Sequence, residues 1–316
     1  MTKVTNAVAS YDVTTNREDL ADAVYRITPA DTPFMSSVPR AKATAVLHEW
    51  STQALASINS SNARLEGDAL SRAASTNPAR KQNYCQISSK DATVTGTQRA
   101  LNPAGIDDMM AYQMSLKSLE LRRDMEYILL GNTGQNAGNT TTARTLRSFN
   151  AWISGNGSRG TNGADSTAVT AAATDGTAGD IRTITEDMLK DAIKDAFDDG
   201  GNPTLAFVGT FNKQKISFFT GRTTQQQIVD AKEILGAASI YASDFGDIKI
   251  VPNRTQRGRD VYVVDPTKVA VAYLRAFEPQ EIGRVGDAVT RDMISEYTLE
   301  VRHPDAHALI ADLATS

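Results

Sequence analysis

Asp31-Thr-Pro-Phe-Met-Ser-Ser-Val-Pro39 and Val46-Leu-His-Glu-Trp50 are compact apolar-polar signals that read as strand, and a long polar excursion follows them. A structureless stretch of that length is uncommon inside a compact domain, so the chain is built to reach a neighbour. In the second signal Val46, His48 and Trp50 share one face and Leu47 and Glu49 the other, as in a strand that becomes covered. Beyond the excursion, Tyr84-Cys-Gln-Ile87 and Ala92-Thr-Val-Thr-Gly-Thr97 are rich in β-branched residues and read as its returning strand. The two strands make a long arm with an irregular tip. A two-stranded hairpin is marginal alone in water, so the arm needs support from elsewhere.

The arm is also electrostatically distinct. Residues 64–99 hold Arg64, Arg72, Arg80, Lys81, Lys90 and Arg99 against Glu66, Asp68 and Asp91, a net of +3 in a chain whose formal charge is -4. The opposite bias lies at Glu186–Asp199, where six acids face two lysines. A solvated face is the plain explanation, and a charge-complementary contact with the basic arm of another subunit is the functional one. Asp195, Asp198 and Asp199 oppose the helix dipole, a local cost that a partner would offset. The candidate contact residues are therefore Arg64, Glu66, Arg72, Arg80 and Lys81 on the arm, and Asp195, Asp198 and Asp199 opposite. Their position selects them, with no motif behind them.

After Asn102-Pro103, Asp107 and Asp108 put negative charge at a helix start and Gly131 stops it. Met110, Met114, Leu121, Met125 and Ile128 recur at helical spacing, with Leu116, Leu119 and Leu129 widening the stripe, and Glu120, Arg122, Arg123 and Glu126 sit mainly off it. The spacing predicts a helix from Asp107 to Leu130 with one buried face, about 24 residues or ~36 Å at 1.5 Å per residue. Upstream, Leu20, Val24 and Ile27 predict a short helix at 17–27. Downstream, residues 132–183 are loop-rich around an apolar island at 149–153, and a second helix runs from its cap Thr185 through Leu189, Ile193 and Phe197 to Gly200-Gly201. Strands are expected at 204–209, 247–251, 260–264, 269–274 and 295–302, with a helix at 212–220 and a turn at 254–259. Without regular βαβ alternation the class is α+β.

With 316 residues the chain makes one large domain or two smaller ones, and aromatic content of only 6% makes the core aliphatic. A pI near 5.5 argues against a protein whose main task is gripping nucleic acid. The single Cys85 cannot form an intrachain disulfide and reads as packing. The N-terminus has no signal-peptide run and no segment approaches the ~20 apolar residues of a membrane span.

Catalytic and metal motifs are weak. Pro304 disfavours a helix through His303 and His307, no zincin Glu follows, and Asn156-Gly-Ser-Arg-Gly160 lacks the first glycine of a nucleophile elbow. No phosphate cradle is present in the glycine-rich stretch. Neither a cofactor nor a metal is expected. The competing enzyme reading is a hydrolase using a Ser158 loop with His303 or His307, and the Thr/Gly/Asn-rich stretch suggests a surface or fibre protein as a third class.

Asp31-Thr-Pro-Phe-Met, Pro39-Arg-Ala-Lys-Ala-Thr-Ala-Val-Leu-His-Glu-Trp50, the polar arm, Gln98-Arg-Ala-Leu and the long helix to Gly131 resemble the major head (capsid) proteins of tailed bacteriophages, which adopt the Hong Kong 97 fold. The match covers about the first 130 residues closely and the remainder by element order. The resemblance implies an N-terminal arm (1–45), an extended E-loop hairpin (46–100) and a spine helix with the peripheral domain and its Gly/Thr-rich loop (101–180). It further implies an axial domain (181–265) and C-terminal strands of the peripheral domain (266–316). In that family the E-loop lies across an adjacent subunit. The implied function is self-assembly into hexamers and pentamers that close an icosahedral head around double-stranded DNA, enclosing it without specific binding, with no enzyme activity and no membrane. Assembly would occur in the host cytoplasm, with separate scaffolding, portal and decoration proteins as partners. Only about 30 residues precede Asp31, so an in-chain scaffold is not expected. Some members crosslink subunits through Lys and Asn, and Lys81 and Lys90 are the lysines the arm offers.

Overall fold

The computed structural model describes residues 28–63, 65–67, 77–101, 106–165, 176–219 and 240–316. The helix expected at 17–27 lies outside the described residues. The described residues begin with helix α1 (Pro33–Ser37), strands β1 (Arg40–Lys42), β2 (Leu47–Thr52), β3 (Ala79–Tyr84) and β4 (Gln86–Thr95), and helices α2 (Gly96–Ala100), α3 (Met109–Leu129) and α4 (Phe149–Trp152). Next come β5 (Gly157–Ser158), α5 (Glu186–Asp198), β6 (Leu205–Val208), α6 (Thr210–Ser217), β7 (Ile240–Ser243), β8 (Gly246–Pro252) and β9 (Val261–Val264). Strands β10 (Val269–Val285), β11 (Ala288–Val301) and β12 (Ala308–Ile310) complete the order.

The long helix forms over Met109–Leu129, shorter than the expected Asp107 to Leu130, and both acids precede its first turn. Asp108 caps α3, its Oδ1 accepting from Met110 N at 2.9 Å. Met110, Met114, Leu121, Met125 and Leu129 are buried and pack on Ala92 and Val94 of β4 and on Val289, Met293 and Tyr297 of β11. At ~1.5–3 kcal/mol for each fully buried apolar side chain, this contact stabilises the four-stranded sheet, ordered β1-β10-β11-β4. Strand β11 runs antiparallel to both neighbours, and β1 lies parallel to β10.

A six-stranded sheet, ordered β5-β12-β9-β6-β8-β7, builds the second layer. Helix α5 covers it with Leu189, Ala192, Ile193 and Ala196, which cluster with Ile248, Ile250, Val263 and Ile310. Thr185 caps α5 as expected, accepting from Met188 N, and Gly200 takes the positive φ of +83° that ends it. The two layers share one aromatic cluster. Phe34 stands 5.6 Å from both Phe149 and Phe207, and Phe149 stands 5.7 Å from Tyr262.

Several expectations are corrected. Residues 31–39 do not form a strand: Pro33 starts α1, and the Glu126 carboxylate accepts from Phe34 N and Met35 N at 2.7 and 2.9 Å. A tertiary acceptor thus completes the helix start. Glu126 itself is fully buried rather than off the stripe. The returning strand of the arm is β3, not Ala92–Thr97, since β2 pairs antiparallel with β3 while β4 pairs with β11. The chain changes sheets at Cys85, which is buried and donates its N–H to Val46 O. Phe197 is left exposed, Ala196 taking its place in the core, and it stacks on Phe245 at 4.8 Å. Strands expected at 269–274 and 295–302 are parts of one hairpin, β10–β11, that extends beyond both to a turn at Gly286.

Candidate assembly site: the projecting arm and the acidic helix

The root of the arm is fixed by its own chain. Trp50 Nε1 donates to Val301 O at 3.1 Å, and its ring lies 5.6 Å from that of Trp152. His48 Nε2 meets Glu300 Oε2 at 3.1 Å. On the returning strand Asn83, fully buried, donates to Arg147 O and Leu299 O and accepts from Arg147 N. One face of β2 and β3 therefore docks on β11, the covering that bulk on both faces of Val46–Trp50 anticipated.

The β2–β3 pairing ends at Thr52 and Ala79. Leu55 is 97% exposed, Ile58 100% and Leu65 82%. Single exposed apolar residues are ordinary, but three so exposed on one projection form a contact surface with no cover among the described residues. Of the charged candidates, Glu66 is exposed near the tip and Arg80 is exposed, 3.5 Å from Glu49, a pair of little energetic weight. Lys81 belongs to the root, opposite Trp50, where burial lowers its pKa and the Asp305 carboxylate pulls it back up. Arg64 and Arg72 lie outside the described residues.

On α5, Asp187, Asp191, Asp195 and Asp198 are exposed at spacings that place them in one stripe. Lys194 reaches Asp198 at 2.7 Å and Asp195 at 3.8 Å, and Lys190 reaches Glu186 at 3.0 Å. Asp199 leaves the stripe. Its Oδ2 accepts from Asn156 Nδ2 at 3.0 Å, and its carbonyl is 2.9 Å from His303 Nε2. The structure thus keeps Asp195 and Asp198 as surface acids and assigns Asp199 to the helix end.

The residues of the hydrolase reading are each committed elsewhere. Ser158 Oγ accepts from Arg182 Nη2 at 2.9 Å, and fully buried His307 accepts at Nδ1 from Asp265 N at 3.1 Å. Burial also pushes the Cys85 thiol up to about 11, consistent with packing. Among the described residues no group of His, Cys, Asp and Glu could hold a metal, and no helix is long and apolar enough to cross a membrane.

His307 makes stability depend on pH. Desolvation lowers its folded pKa from 6.5 to about 3, so the unfolded chain takes up a proton below 6.5 that the folded chain refuses. Its stabilising effect is complete above 6.5 and declines as pH falls through that window, by ~1.4 kcal/mol per unit. Urea titrations at pH 7 and 5.5 should differ by about 1.4 kcal/mol from this residue, and the difference should vanish in His307→Gln; an equal difference in the variant rules His307 out.

Sequence reasoning missed Glu126, Asn83 and Asn253. Glu126 stands one position past Met125 at the edge of the apolar stripe, but its partners are backbone amides and an asparagine 127 residues away. No spacing in the sequence announces such a contact.

A long helix laid across a four-stranded sheet, a second mixed sheet and a hairpin projecting from the junction make a fold of the Hong Kong 97 type. The fold is similar to a chain from Microbacterium phage Oxtober96 (14% identical, 95% of this chain and 96% of that one, TM-score 0.65). It is also similar to one from the Cyanophage A-1(L) capsid asymmetric unit (12% identical, 99% and 100%, TM-score 0.64). Residues 4–314 match the SU10 major capsid protein family, and the chain belongs to it. The major capsid protein of Escherichia phage Phieco32 is 31% identical over 121 residues, 38% of this chain and 34% of that relative, so the alignment spans about a third of the relative's length.

Proposed function

We propose that this chain is the shell-forming subunit of a tailed-phage head, assembling in the host cytoplasm into hexamers and pentamers that close an icosahedral shell around double-stranded DNA. The observation that carries the reading is the arm: its root is locked to β11 while Leu55, Ile58 and Leu65 at its end have no cover among the described residues. Burying three such side chains offers ~5–9 kcal/mol gross per contact, before ordering costs. A neighbouring copy is the occupant that a closed assembly supplies. In this scheme residues 1–45 are the N-terminal arm, the hairpin is the E-loop, α3 with the four-stranded sheet is the peripheral domain, and α5 with the six-stranded sheet is the axial domain. The arm's Arg64, Arg72 and Arg80 meet acids of the next copy, with Asp195 and Asp198 as the landing site. Scaffolding, portal and decoration proteins are the further partners.

Size-exclusion chromatography with negative-stain microscopy tests the reading. Rings or shells are expected from the purified chain, and Asp195→Lys/Asp198→Lys should lower their yield several-fold at low salt, with the gap narrowing as salt rises. A monodisperse monomer at every concentration sinks the shell reading, and unchanged yield in the double variant removes α5 as the landing site.

A further inference from the structure

The turn between β8 and β9, Asn253-Arg-Thr-Gln-Arg-Gly-Arg259, carries three arginines and no acid in a chain of net charge -4. Its backbone is held from several sides. Asn253 Nδ2 donates to Glu126 Oε1 at 2.8 Å, while Asn253 Oδ1 accepts from Thr255 N at 2.9 Å. Gln256 Nε2 donates to Asp260 O at 2.8 Å, and Gly258 O accepts from Asn212 Nδ2 at 2.9 Å. Leu313 N donates to Arg259 O at 2.9 Å. Such anchoring removes the ordering cost that a flexible loop incurs on binding.

This turn and the second half of α3 enclose a groove of about 420 Å³, lined by Lys90, Glu120, Arg123, Asp124, Tyr127 and Arg254 among others. Its acids are already neutralised: Lys90 Nζ lies 2.7 Å from Asp124 Oδ2, and Lys117 Nζ 2.9 Å from Glu120 Oε2. Arg257 is likewise turned inward, 3.4 Å from Asp260. The guanidinium groups of Arg123 and Arg254 remain with no ion pair among the described residues. Arg123 Nε is buried without a hydrogen-bond acceptor there, and an unsatisfied buried donor costs ~1–3 kcal/mol. Two uncompensated guanidiniums and the exposed Tyr127 make a site for an oxyanion with paired acceptor oxygens.

We propose that this groove binds backbone phosphates of the enclosed nucleic acid, with Arg123 and Arg254 as the phosphate ligands. The assignment rests on the shell reading, which places a phosphodiester polymer against one face of every subunit. An acidic helix from another copy fits less well, since in the shell reading the α5 stripe is already taken by the basic arm of a neighbour.

The test is fluorescence anisotropy of a labelled duplex of about 30 base pairs with the full chain, from roughly 50 to 200 mM KCl. Wild type should bind with affinity that falls with salt, and Arg123→Gln/Arg254→Gln should flatten the log–log slope by about 1.8, the loss of two phosphate contacts. Arg254→Gln alone, on an exposed side chain, should flatten it by about half as much without disturbing α3. Arg284→Gln, on the β10–β11 hairpin, should leave it unchanged. Equal slopes in wild type and the double variant overturn the proposal, as does absence of duplex binding by wild type at the lowest salt. Saturable binding of inorganic phosphate without duplex binding makes this a free-ion site and also overturns it. Microscopy separates the two readings: shells with an unchanged slope defeat the groove alone, whereas failure of wild type to form rings or shells defeats the reading beneath it.

Discussion

Glu126→Ala should destabilise the folded chain by about 3 kcal/mol or more, because it strands three donors at once. The carboxylate accepts from Phe34 N at 2.7 Å, Met35 N at 2.9 Å and Asn253 Nδ2 at 2.8 Å. Burial pushes its pKa above the usual carboxylate value, and these donors pull it back. The residue ties three separate pieces of chain together: α1, the end of α3 and the β8–β9 turn. Its loss reaches further than the hydrogen bonds. Phe34 is held among Phe149 and Phe207 only while the first turn of α1 keeps its place, so the variant should expose the aromatic cluster as well. Urea denaturation gives the magnitude, and hydrogen exchange at residues 34–38 should rise before exchange in α3. A change under 1 kcal/mol would show that water replaces the carboxylate without penalty. Glu126→Gln should fall between the two, since its amide oxygen retains one acceptor while its NH₂ opposes donors.

The same residue marks where sequence stops being informative. Helix α3 is legible because its stripe, the acids at its start and its terminator are local, and α5 is legible from its stripe, its Thr185 cap and its glycine stop. Strands β6, β8 and β9 are legible as apolar runs between turn residues. The errors lie where a distant partner overrules local preference. Pro33 permits either a strand edge or a helix start, and Glu126, far along the chain, selects the helix. The period-two pattern of Ala92 and Val94 correctly signals a half-buried strand, but a pattern names a buried face and not the strand alongside it. The pairing partner had to come from the structure. At the candidate site, the arm was visible as chain that could not build a core. Which of its charges belong to the root and which to the free end depends on where β3 begins, and Lys81 moved to the root for that reason.

Replacing residues 53–78 by Asn-Gly should leave the subunit folded and abolish shell formation. Thr52 and Ala79 are the last paired residues of β2 and β3, so a two-residue turn of type I′ can join them in the observed register. The replacement removes Leu55, Ile58 and Leu65 but spares Trp50, His48 and Asn83, which carry the root. Shortening the connection tenfold lowers its closure cost by ~2 kcal/mol, so the variant should unfold at a urea concentration no lower than wild type. That separation gives the experiment its force. Unlike a core substitution, it tests assembly without weakening the fold, and lost shells cannot be ascribed to an unstable monomer. Sedimentation velocity should show a single slow species where wild type gives rings or shells. Shells formed at normal yield by the shortened chain would mean that the subunits are held together elsewhere and that the exposed apolar tip has another partner.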